Sequence, residues 1–300
     1  GIDDIKTSDI KVNESYIAVP KKIPFTENPI EQIDLLEALR ENDYDLKIAN
    51  GQVYLVEAIK KLGIKEVAKI LEVKEKYVYD IKSKNVGIPV SNFLKLMDAA
   101  SVEIDKENIQ IRTKGHVMPA ILKFSEELWA FFGLWVAEGS YNKDTVRVSV
   151  HRDEEKATER LCRALFKHTL VYRKPNFKAS DIYICSSVLG RIMKNVLGFN
   201  SGARQKKVPE IVYNIKREYL AAFLRGYISG DGHLNTKTPA PMIEVATESP
   251  ELADDITYLL LYFGIVAKVY GRKDRPQRRI SFADVDNLEK FTEIGFFESE

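Results

Sequence analysis

The 300-residue sequence is poor in the features that mark secreted, membrane and disordered proteins. Its two cysteines, Cys162 and Cys185, allow neither a disulfide framework nor a cysteine-rich zinc site. The longest apolar run, Leu128 to Ala137, falls well short of the roughly 20 residues that a membrane helix needs. The N-terminus lacks the basic and then apolar pattern of a secretion signal. Because 45% of the residues are hydrophobic, we expect a soluble, cytoplasmic protein of two or three domains that makes no membrane contact.

The formal net charge is only +1, from 45 Lys and Arg against 44 Asp and Glu, and this balance does not mark a nucleic-acid binder. The average hides opposed segments. Residues 27–45 carry seven acidic side chains against Arg40, a net of −6, whereas residues 268–279 carry six basic side chains against Asp274, a net of +5. A basic stripe of this density is typical of phosphate neutralisation, although a solvated hairpin has the same pattern.

The second half of the chain contains an internal repeat. Residues 131–139 (FFGLWVAEG) have a counterpart in residues 224–232 (LRGYISGDG), at an offset of 231 − 138 = 93. Strand-like and helix-like patterns follow each copy in the same order, which predicts an αββαββα arrangement for each half. We therefore expect an α+β fold in which two similar halves form a pseudo-dimer within one monomeric chain.

Small residues occupy matching positions in both copies of the repeat. Gly133 and Ala137 are four residues apart, as are Gly226 and Gly230, so each pair lies on one face of its predicted helix. A glycine inside a helix costs about 1 kcal/mol relative to alanine. Its use in both copies predicts that two helix backbones approach closely, and we expect the repeated helices to pack against each other.

An acidic residue ends each predicted helix, Glu138 in the first copy and Asp231 in the second, and Gly139 and Gly232 follow as C-terminal caps. Carboxylates are disfavoured at a helix C-terminus by ~0.3–1 kcal/mol. Helices that lie side by side would bring the two carboxylates together, where they repel each other and where a divalent cation would relieve both costs. The alternative is a pair of solvated acids without a partner.

These two nonapeptides resemble the paired motifs of LAGLIDADG homing endonucleases, in the dodecapeptide-type subtype carried by archaeal inteins. The resemblance covers about residues 110–300 and implies two αββαββα halves packed through their motif helices. It implies that Glu138 and Asp231 are the catalytic, metal-binding acids, with Gly139 and Gly232 beside them at the metal. The first acid departs from the family pattern, because Asp is commoner than Glu there.

Lys206, in the sequence Lys-Lys-Val-Pro before the second copy, corresponds to the catalytic lysine of the subtype. Such a lysine is suited to stabilising charge on the phosphate or to holding the attacking water. The implied reaction is hydrolysis of double-stranded DNA at a long asymmetric target, with Mg²⁺ as cofactor and Mn²⁺ as a substitute. The repeat places a second such lysine at 296 + (206 − 199) = 303, past Glu300. Two alternatives stay open, a cleavage-inactive DNA-binding fragment and an RNA splicing cofactor.

The strands that follow each motif are predicted to carry DNA contacts. In residues 145–151 valines alternate with polar residues, so the polar side chains share the face that points away from the helices. Two-stranded ribbons enter the major groove, and most of their contacts go to phosphates rather than bases. The candidates are Arg147, Ser149, His151, Arg173, Lys174, Arg272, Lys273, Arg275 and Arg279. For His151, an exposed strand histidine without a role is the alternative.

Residues 29–112 are predicted to form a small all-α domain that contains a helix-turn-helix. Apolar residues at 67, 70, 71, 73, 78 and 81, with Ala68 at the helix crossing, resemble that motif. Helix pairs of this pattern also occur as plain packing units. If the pair binds DNA, its second helix faces a groove, and the candidate contacts are Lys74, Lys76, Tyr77 and Lys82.

Residues 1–28 are predicted to be a linker left from an intein splicing block, because Asp9 to Val12 and Tyr16 to Pro24 resemble the segment that enters the endonuclease insert. Splicing needs a nucleophilic first residue and a terminal His-Asn pair. The sequence begins with Gly1 and none of its four histidines is followed by Asn, so we expect no splicing activity. The two endonuclease halves are predicted at residues 113–206 and 207–300.

Overall fold

The computed structural model describes residue 9 and residues 20–84, 86–113, 115–236, 240–272 and 275–297, with backbone only for residues 272 and 275. Most of the predicted linker 1–28 lies outside the described residues, and so does Lys273. Within these ranges the chain forms four separate antiparallel sheets. No helix in the described part of the chain is long and apolar enough to cross a lipid bilayer.

The N-terminal part of the described chain is mainly helical. Its elements are β1 (Gln32–Asp34), α1 (Leu35–Ala38), β2 (Lys47–Ile48), α2 (Gln52–Leu62), α3 (Ile64–Ile70), α4 (Glu75–Lys84), α5 (Val90–Ala100), β3 (Gln110–Arg112), β4 (Val117–Pro119) and β5 (Ile121–Lys123). The predicted all-α arrangement is correct for α2 to α5, which we call the helical segment, and the structure adds short strands at its two ends. Strand β1 pairs with β5, and β3 pairs with β2 and β4, so the predicted boundary at residue 112 falls inside a hairpin.

Helices α3 and α4 form a pair with a short turn between them. The residues buried along the pair are Val67, Ala68, Leu71, Val78 and Ile81, and all five were predicted as apolar positions of the pair. Glu72 adopts a left-handed backbone conformation with φ of +55°, which lets the chain reverse between the helices. The opposite side of α4 is open to solvent.

The first half of the repeat has the predicted αββαββα order. Ser125 caps its first helix by accepting a hydrogen bond from the backbone N–H of Leu128. The elements are α6 (Glu126–Glu138), β6 (Gly139–Asn142), β7 (Thr145–His151), α7 (Glu155–Leu165), β8 (Thr169–Arg173), β9 (Ala179–Ile184) and α8 (Ser187–Arg191), followed by a π-helical turn (Ile192–Val196). The strand order in its sheet is β6-β7-β9-β8.

The second half repeats this arrangement. Its elements are α9 (Arg217–Asp231), β10 (Gly232–Asn235), β11 (Met242–Thr247), α10 (Pro250–Tyr262), β12 (Lys268–Arg272), β13 (Arg275–Phe282) and α11 (Val285–Phe291), and a 3-10 helix (Glu210–Asn214) precedes them. The strand order β10-β11-β13-β12 is that of the first sheet. The predicted repeat of secondary structure is therefore confirmed.

Strand register makes the two sheets equivalent residue by residue. Gly139 pairs with Val148 in the first sheet, and Gly232 pairs with Val245 in the second. Val148 in turn pairs with Ile182, as Val245 does with Ile280. Strand β7 of the first half therefore corresponds to β11 of the second half, and β9 corresponds to β13. All four apolar side chains are buried on the helix-covered side, so the predicted alternation of faces is confirmed.

Helices α6 and α9, which we call the motif helices, pack tightly against each other. A Cβ atom on Gly133 would collide with the carbonyl oxygen of Phe223, and one on Gly226 would collide with that of Ala130. Glycine is needed at both places because a backbone, not a flexible side chain, is the neighbour. The predicted close approach of the two helices is confirmed. Aromatic rings, among them Trp129 and Phe132, are buried beside this crossing.

Candidate active site and nucleic-acid interface

The crossing of the motif helices brings their C-terminal ends together. Glu138 is the last residue of α6 and Asp231 the last of α9, and both side chains are half-buried. Gly230 lies against this junction, because a Cβ atom there would come within 2.6 Å of Cβ of Ala137 and 3.3 Å of Cγ of Glu138. The predicted convergence of the two acidic helix ends is therefore present in the fold.

The surroundings of the two carboxyl groups disfavour their ionised forms. Burial, together with the nearby charge of Asp231, raises the pKa of Glu138 to about 7. Burial also raises the pKa of Asp231 to about 6, although the ammonium group of Lys206 opposes that shift. The two acids are therefore close enough for the charge of Asp231 to influence the ionisation of Glu138.

Lys206 reaches the same junction from outside both motif helices. It is buried, and its Nζ donates a 2.6 Å hydrogen bond to the carbonyl oxygen of Ala137, next to Glu138. Burial lowers the pKa of Lys206, while the charges of Asp231 and Glu138 raise it. The backbone at Lys206 is anchored in the second half, since the hydroxyl of Ser249 donates a 2.7 Å hydrogen bond to its carbonyl oxygen.

Gly139 and Gly232 end the motif helices and start strands β6 and β10. Both are extended rather than left-handed, with φ of −85° and −109°. A side chain is excluded by crowding at each, because a Cβ atom would meet Trp135 at the first position and Ile228 at the second. The cap prediction is correct in position, and the conformation differs because each chain continues directly into a strand.

A divalent metal ion is compatible with this junction. The two acids provide hard oxygen ligands, and their pKa values are raised mainly by burial, which disfavours the ionised form that a cation would stabilise. In the part of the chain that the structure describes, no group of three or more His, Cys, Asp or Glu side chains is arranged to hold a metal. An ion bound there would need further ligands from backbone, water or substrate oxygens.

The open face of the first sheet is organised by a buried acid. Asp181 on β9 is 2% exposed. Its carboxylate accepts a 2.5 Å hydrogen bond from the hydroxyl of Ser149 and forms an ion pair with Nζ of Lys174 at 2.9 Å. Arg147 lies 3.8 Å from the same carboxylate and donates to the hydroxyl of Ser140 at 2.9 Å. Burial raises the pKa of Asp181, but the partners outweigh it and lower the pKa below its ordinary value.

A second buried acid organises the open face of the second sheet. Glu244 on β11 is 5% exposed and accepts hydrogen bonds from Arg279 and, at 2.6 Å, from the hydroxyl of Tyr270. His233 lies 4.0 Å from the same carboxylate. Arg279 is thus held in place by a carboxylate, as Arg147 is in the first sheet.

The two acid–arginine pairs occupy equivalent sites with their charges exchanged. Arg147 is equivalent to Glu244 by strand register, and Asp181 is equivalent to Arg279. The arginine therefore lies on the second strand of the first sheet but on the third strand of the second sheet. Both halves therefore contain an acid–arginine pair on the second and third strands, but the strand that carries the acid in one half carries the arginine in the other.

Two other predicted DNA contacts of the first sheet, Arg173 and His151, lie in different surroundings. Arg173 lies on the helix-covered side of its sheet, where its Nε donates to the carboxylate of Glu155 at 2.9 Å. This position follows from strand alternation, because Thr169, Val171 and Arg173 share that side. His151 is exposed at the end of β7, with Nδ1 3.1 Å from a carboxylate oxygen of Asp153.

Two predicted cations of the second half, Arg272 and Arg275, lie at the end of β12 and the start of β13. Arg272 and Arg275 are cross-strand partners there, and Lys273 lies outside the described residues. In the helical segment, Lys74, Lys76 and Lys82 are exposed and Tyr77 is half-buried. These four residues are arranged along the start and the open side of α4.

Sequence reasoning missed Asp181 and Glu244. Their positions on the open faces could have been read from alternation, since Asp181 lies between Ser180 and Ile182 in a strand whose apolar residues face the helices. The sequence pattern does not show that an acid on an exposed face is buried by its basic neighbours. That outcome depends on which strands pair.

Two family matches fall within the chain. The LAGLIDADG-like domain family matches residues 218–295, a range that holds Asp231 and the second αββαββα half. The chain carries a LAGLIDADG-like domain. The WhiA LAGLIDADG-like domain family matches residues 36–115, which hold the helical segment rather than the first half of the repeat. The LAGLIDADG-like match coincides with the half that also supplies Arg279 and Glu244.

Curated relatives match this chain over small parts of their own length. A replication factor C small subunit from Methanocaldococcus jannaschii is 25% identical over 83% of this chain and 15% of that protein. A DNA polymerase from Thermococcus hydrothermalis is 31% identical over 46% of this chain and 9% of that protein. Among solved structures, mesophilic variants of the homing endonuclease I-DmoI align with a TM-score of 0.43 and 13% identity, over 56% of this chain and 95% of that one.

Proposed function

We propose that the chain is an intein-derived, site-specific homing endonuclease that hydrolyses double-stranded DNA at a long asymmetric target. The observation that carries this proposal is the convergence of Glu138, Asp231 and Lys206 at the ends of two tightly packed helices. Two desolvated acids with a buried lysine beside them are the parts that metal-assisted phosphodiester hydrolysis needs.

The proposed cofactor is Mg²⁺, for which Mn²⁺ can substitute. Glu138 and Asp231 would hold it, with the backbone at Gly139 and Gly232 beside it and with water or phosphate oxygens completing the ligands. When bound, the ion supplies Lewis-acid stabilisation of the charge that develops on the phosphate.

The chain itself contributes charge and orientation. The ammonium group of Lys206 is held by the carbonyl oxygen of Ala137, so its position does not depend on substrate. Such a fixed positive group stabilises negative charge as it develops, because no reorganisation is needed at the moment of reaction. Ser249 holds the backbone of Lys206 from the other half of the protein, so both halves contribute to the placement of this lysine.

The sheets are proposed to hold DNA. Their open faces carry Arg147, Lys174 and Arg279, and each of these cations is oriented by a buried acid rather than free to move. An oriented guanidinium can read a guanine by two hydrogen bonds, whereas flexible lysines serve phosphates. The α3–α4 pair is proposed as a helix-turn-helix that adds contacts through the lysines of α4.

The curated relatives support an inserted origin. Replication factor C and DNA polymerase are different proteins, yet the chain resembles a segment of each that makes up 15% and 9% of their length. A segment shared by proteins with different names, and small relative to both, fits a mobile element that occupies different hosts.

A second candidate function is DNA binding without cleavage. It is favoured by the match of residues 36–115 to the WhiA LAGLIDADG-like domain family, whose name states no nuclease activity. Assistance to RNA splicing is the remaining alternative from the sequence.

One experiment separates these functions. The purified chain is incubated with Mg²⁺ and a library of genomic duplex DNA, and the ends produced are sequenced for wild type, Glu138→Gln, Asp231→Asn and the control Glu127→Gln, an exposed acid in the first turn of α6. We expect clustered cuts from wild type and control, and a loss of at least about 100-fold in both test variants, because removing a metal ligand costs more than removing its outer-shell partner.

Other results lead elsewhere. Salt-sensitive complexes without cuts would identify a DNA-binding protein that does not cleave. A preference for structured RNA over duplex DNA would identify a splicing cofactor. Cuts that persist in Glu138→Gln and Asp231→Asn would show that the junction of the motif helices is not the active site.

A further inference from the structure

A polar cleft of about 720 Å³ lies between strands β2 and β3 and the first half of the repeat. Lys47 and Arg112 line it from strands β2 and β3, and Asp45, Thr113, Gly115, Ser187 and Arg191 line its other sides. It is separate from the junction of the motif helices, and none of its lining residues belongs to the sequence-predicted DNA contacts.

Two like charges face each other in this cleft. Lys47 and Arg112 are direct cross-strand partners in the β2–β3 pair, an arrangement that destabilises a sheet when both residues are cations. Among the described residues, neither side chain forms an ion pair with an acid, and Arg112 is nevertheless half-buried. A half-buried guanidinium without a carboxylate partner, next to a second cation, is a combination that an anion would stabilise.

The surrounding residues hold the cations in place. The guanidinium of Arg112 lies against Gly87, where a Cβ atom would come within 2.5 Å of Nη2, so the missing side chain makes room for it. Thr113 and Ser187 hydrogen-bond each other and present hydroxyl groups to the same space. Arg191 is already neutralised, because its Nε donates to Asp144 at 2.9 Å and its Nη1 lies 3.8 Å from the carboxylate of Asp45, the acid that lines the cleft.

The position of the cleft connects the two proposed DNA-binding regions. On one side, Gly87 and Pro89 follow the C-terminal end of α4, and Pro89 pairs with Lys47. On the other side, Arg191 binds Asp144 in the turn between β6 and β7 of the first sheet. The cleft therefore lies between the chain that follows α4 and the β6–β7 turn of the first sheet.

We propose that the cleft binds one phosphate group of the DNA backbone through Lys47 and Arg112, with Thr113 and Ser187 as additional donors. The proposal rests on the DNA binding proposed above. It makes the cleft a fixed phosphate contact that sets the distance between the helix-turn-helix contact and the first half-site. Contacts of this kind position a protein without reading sequence.

The test uses the double variant Lys47→Gln/Arg112→Gln in the full chain, with Lys60→Gln/Lys95→Gln as control, which removes the same charge from exposed faces of α2 and α5. Duplex binding is measured over a range of salt concentrations. We expect the test variant to bind roughly tenfold more weakly than wild type. Its slope of log K against log salt should fall by about 1, equally for target and unrelated DNA, while the control keeps the wild-type slope.

A second measurement does not depend on DNA. Inorganic phosphate should raise the melting temperature of wild type and of the control, but not of the test variant. If phosphate protects but the DNA slope is unchanged, the cleft takes a free phosphate or nucleotide and the proposal is overturned. If phosphate raises the melting temperature of wild type no more than that of the Lys47→Gln/Arg112→Gln variant, the cleft holds no phosphate site. If wild type binds phosphate but no DNA at all, the proposed function fails rather than the anion site.

Discussion

At the scale of single residues, the notable feature is the cost that this fold accepts at Glu138 and Asp231. Each carboxyl group lies at the negative end of a helix, half-buried and near the other. Their pKa values, about 7 and about 6, lie well above the ordinary values of 4.5 and 3.8. Such a cost is typical of a functional site, because a protein selected only for stability would replace these acids by neutral residues.

The pH dependence of stability follows from these shifts. Both acids bind a proton more tightly in the folded chain than in the unfolded chain, so their contribution favours folding below about pH 4 and is lost as the pH rises through 6 and 7. At pH 8 both are ionised and destabilise the fold. We expect Glu138→Gln to raise the free energy of unfolding by about 1–3 kcal/mol at pH 8, and by much less at pH 5.

Chemical denaturation of wild type and Glu138→Gln at both pH values measures this difference. Glu126→Gln, at the favourable N-terminal end of the same helix, is the control and should not stabilise the protein at either pH. Mg²⁺ should stabilise wild type at pH 8 and should have no effect on the double variant Glu138→Gln/Asp231→Asn. A gain that is equal at pH 5 and pH 8 would contradict the assignment.

At the scale of elements, the contact between α6 and α9 depends on which atoms face each glycine. Gly133 and Gly226 face backbone atoms of the opposite helix, which cannot move aside, whereas Gly230 faces side-chain atoms of Ala137 and Glu138. The three glycines look alike in the sequence, but the atoms that surround them predict that a larger residue is tolerated better at Gly230 than at Gly133 or Gly226.

We expect Gly133→Ala and Gly226→Ala each to destabilise the fold by about 3 kcal/mol or more, since the added methyl would separate the helices (overpacking usually costs about 1–3 kcal/mol). Gly230→Ala should cost less, because side chains can adjust. Urea unfolding of the three variants gives the ranking. Equal costs at all three positions would show that the helices do not cross at Gly133 and Gly226.

The exchanged acid–arginine pairs have a consequence for target recognition under the proposed function. Arg147 lies on the second strand of its sheet and Arg279 on the third strand of the other. Two half-sites read by these arginines cannot be inverted repeats of each other, and this agrees with an asymmetric target.

We expect Arg147→Gln and Arg279→Gln each to relax preference at one base pair, by about 1–3 kcal/mol, at different distances from the cut. Cleavage of a target library with every position varied would locate both. Arg173→Gln is the matched control, because that guanidinium is bound to Glu155 on the helix-covered side. Preferences relaxed at equal distances from the cut would contradict the exchange.

At the scale of the whole molecule, the chain that precedes the helical segment is joined to both halves by specific hydrogen bonds. Arg191 of α8 donates to the carbonyl oxygen of Tyr44, and strand β1 pairs with β5. Ile30 also pairs with Ile215, which precedes the second motif helix. The N-terminal part of the chain is thus connected to both halves, and under the proposed function contacts made by α4 would be held in a constant position relative to Glu138 and Asp231.

Under the proposed function, neutralising the α4 lysines should weaken DNA binding without moving the cut. For Lys74→Gln/Lys76→Gln/Lys82→Gln we expect the slope of log K against log salt to fall by about 2–3, because each lysine that meets a phosphate adds about 1 to the slope. The cut position, set by Glu138 and Asp231, should stay the same. Filter binding and primer extension on one target measure both, and an unchanged slope would mean that α3 and α4 are a packing unit.

The amino-acid sequence by itself determined the repeat, the two acid-terminated helices and the faces of the strands. These features are local: helix and strand periods decide which side of an element is buried, and Gly133 and Gly226 mark a close approach whatever the partner. Lys206 needed more than local pattern, since a lone lysine before a proline carries no signal without a known family.

Only the tertiary structure decided which charges meet. Asp181 and Glu244 became buried acids because strand pairing set basic side chains around them, and Arg173 was removed from the open face by its place in the alternation of β8. Lys47 and Arg112 are 65 residues apart (112 − 47) and came together through one short pair of strands. Partners that distant in the chain are chosen by packing, and packing depends on the whole fold rather than on the residues on either side.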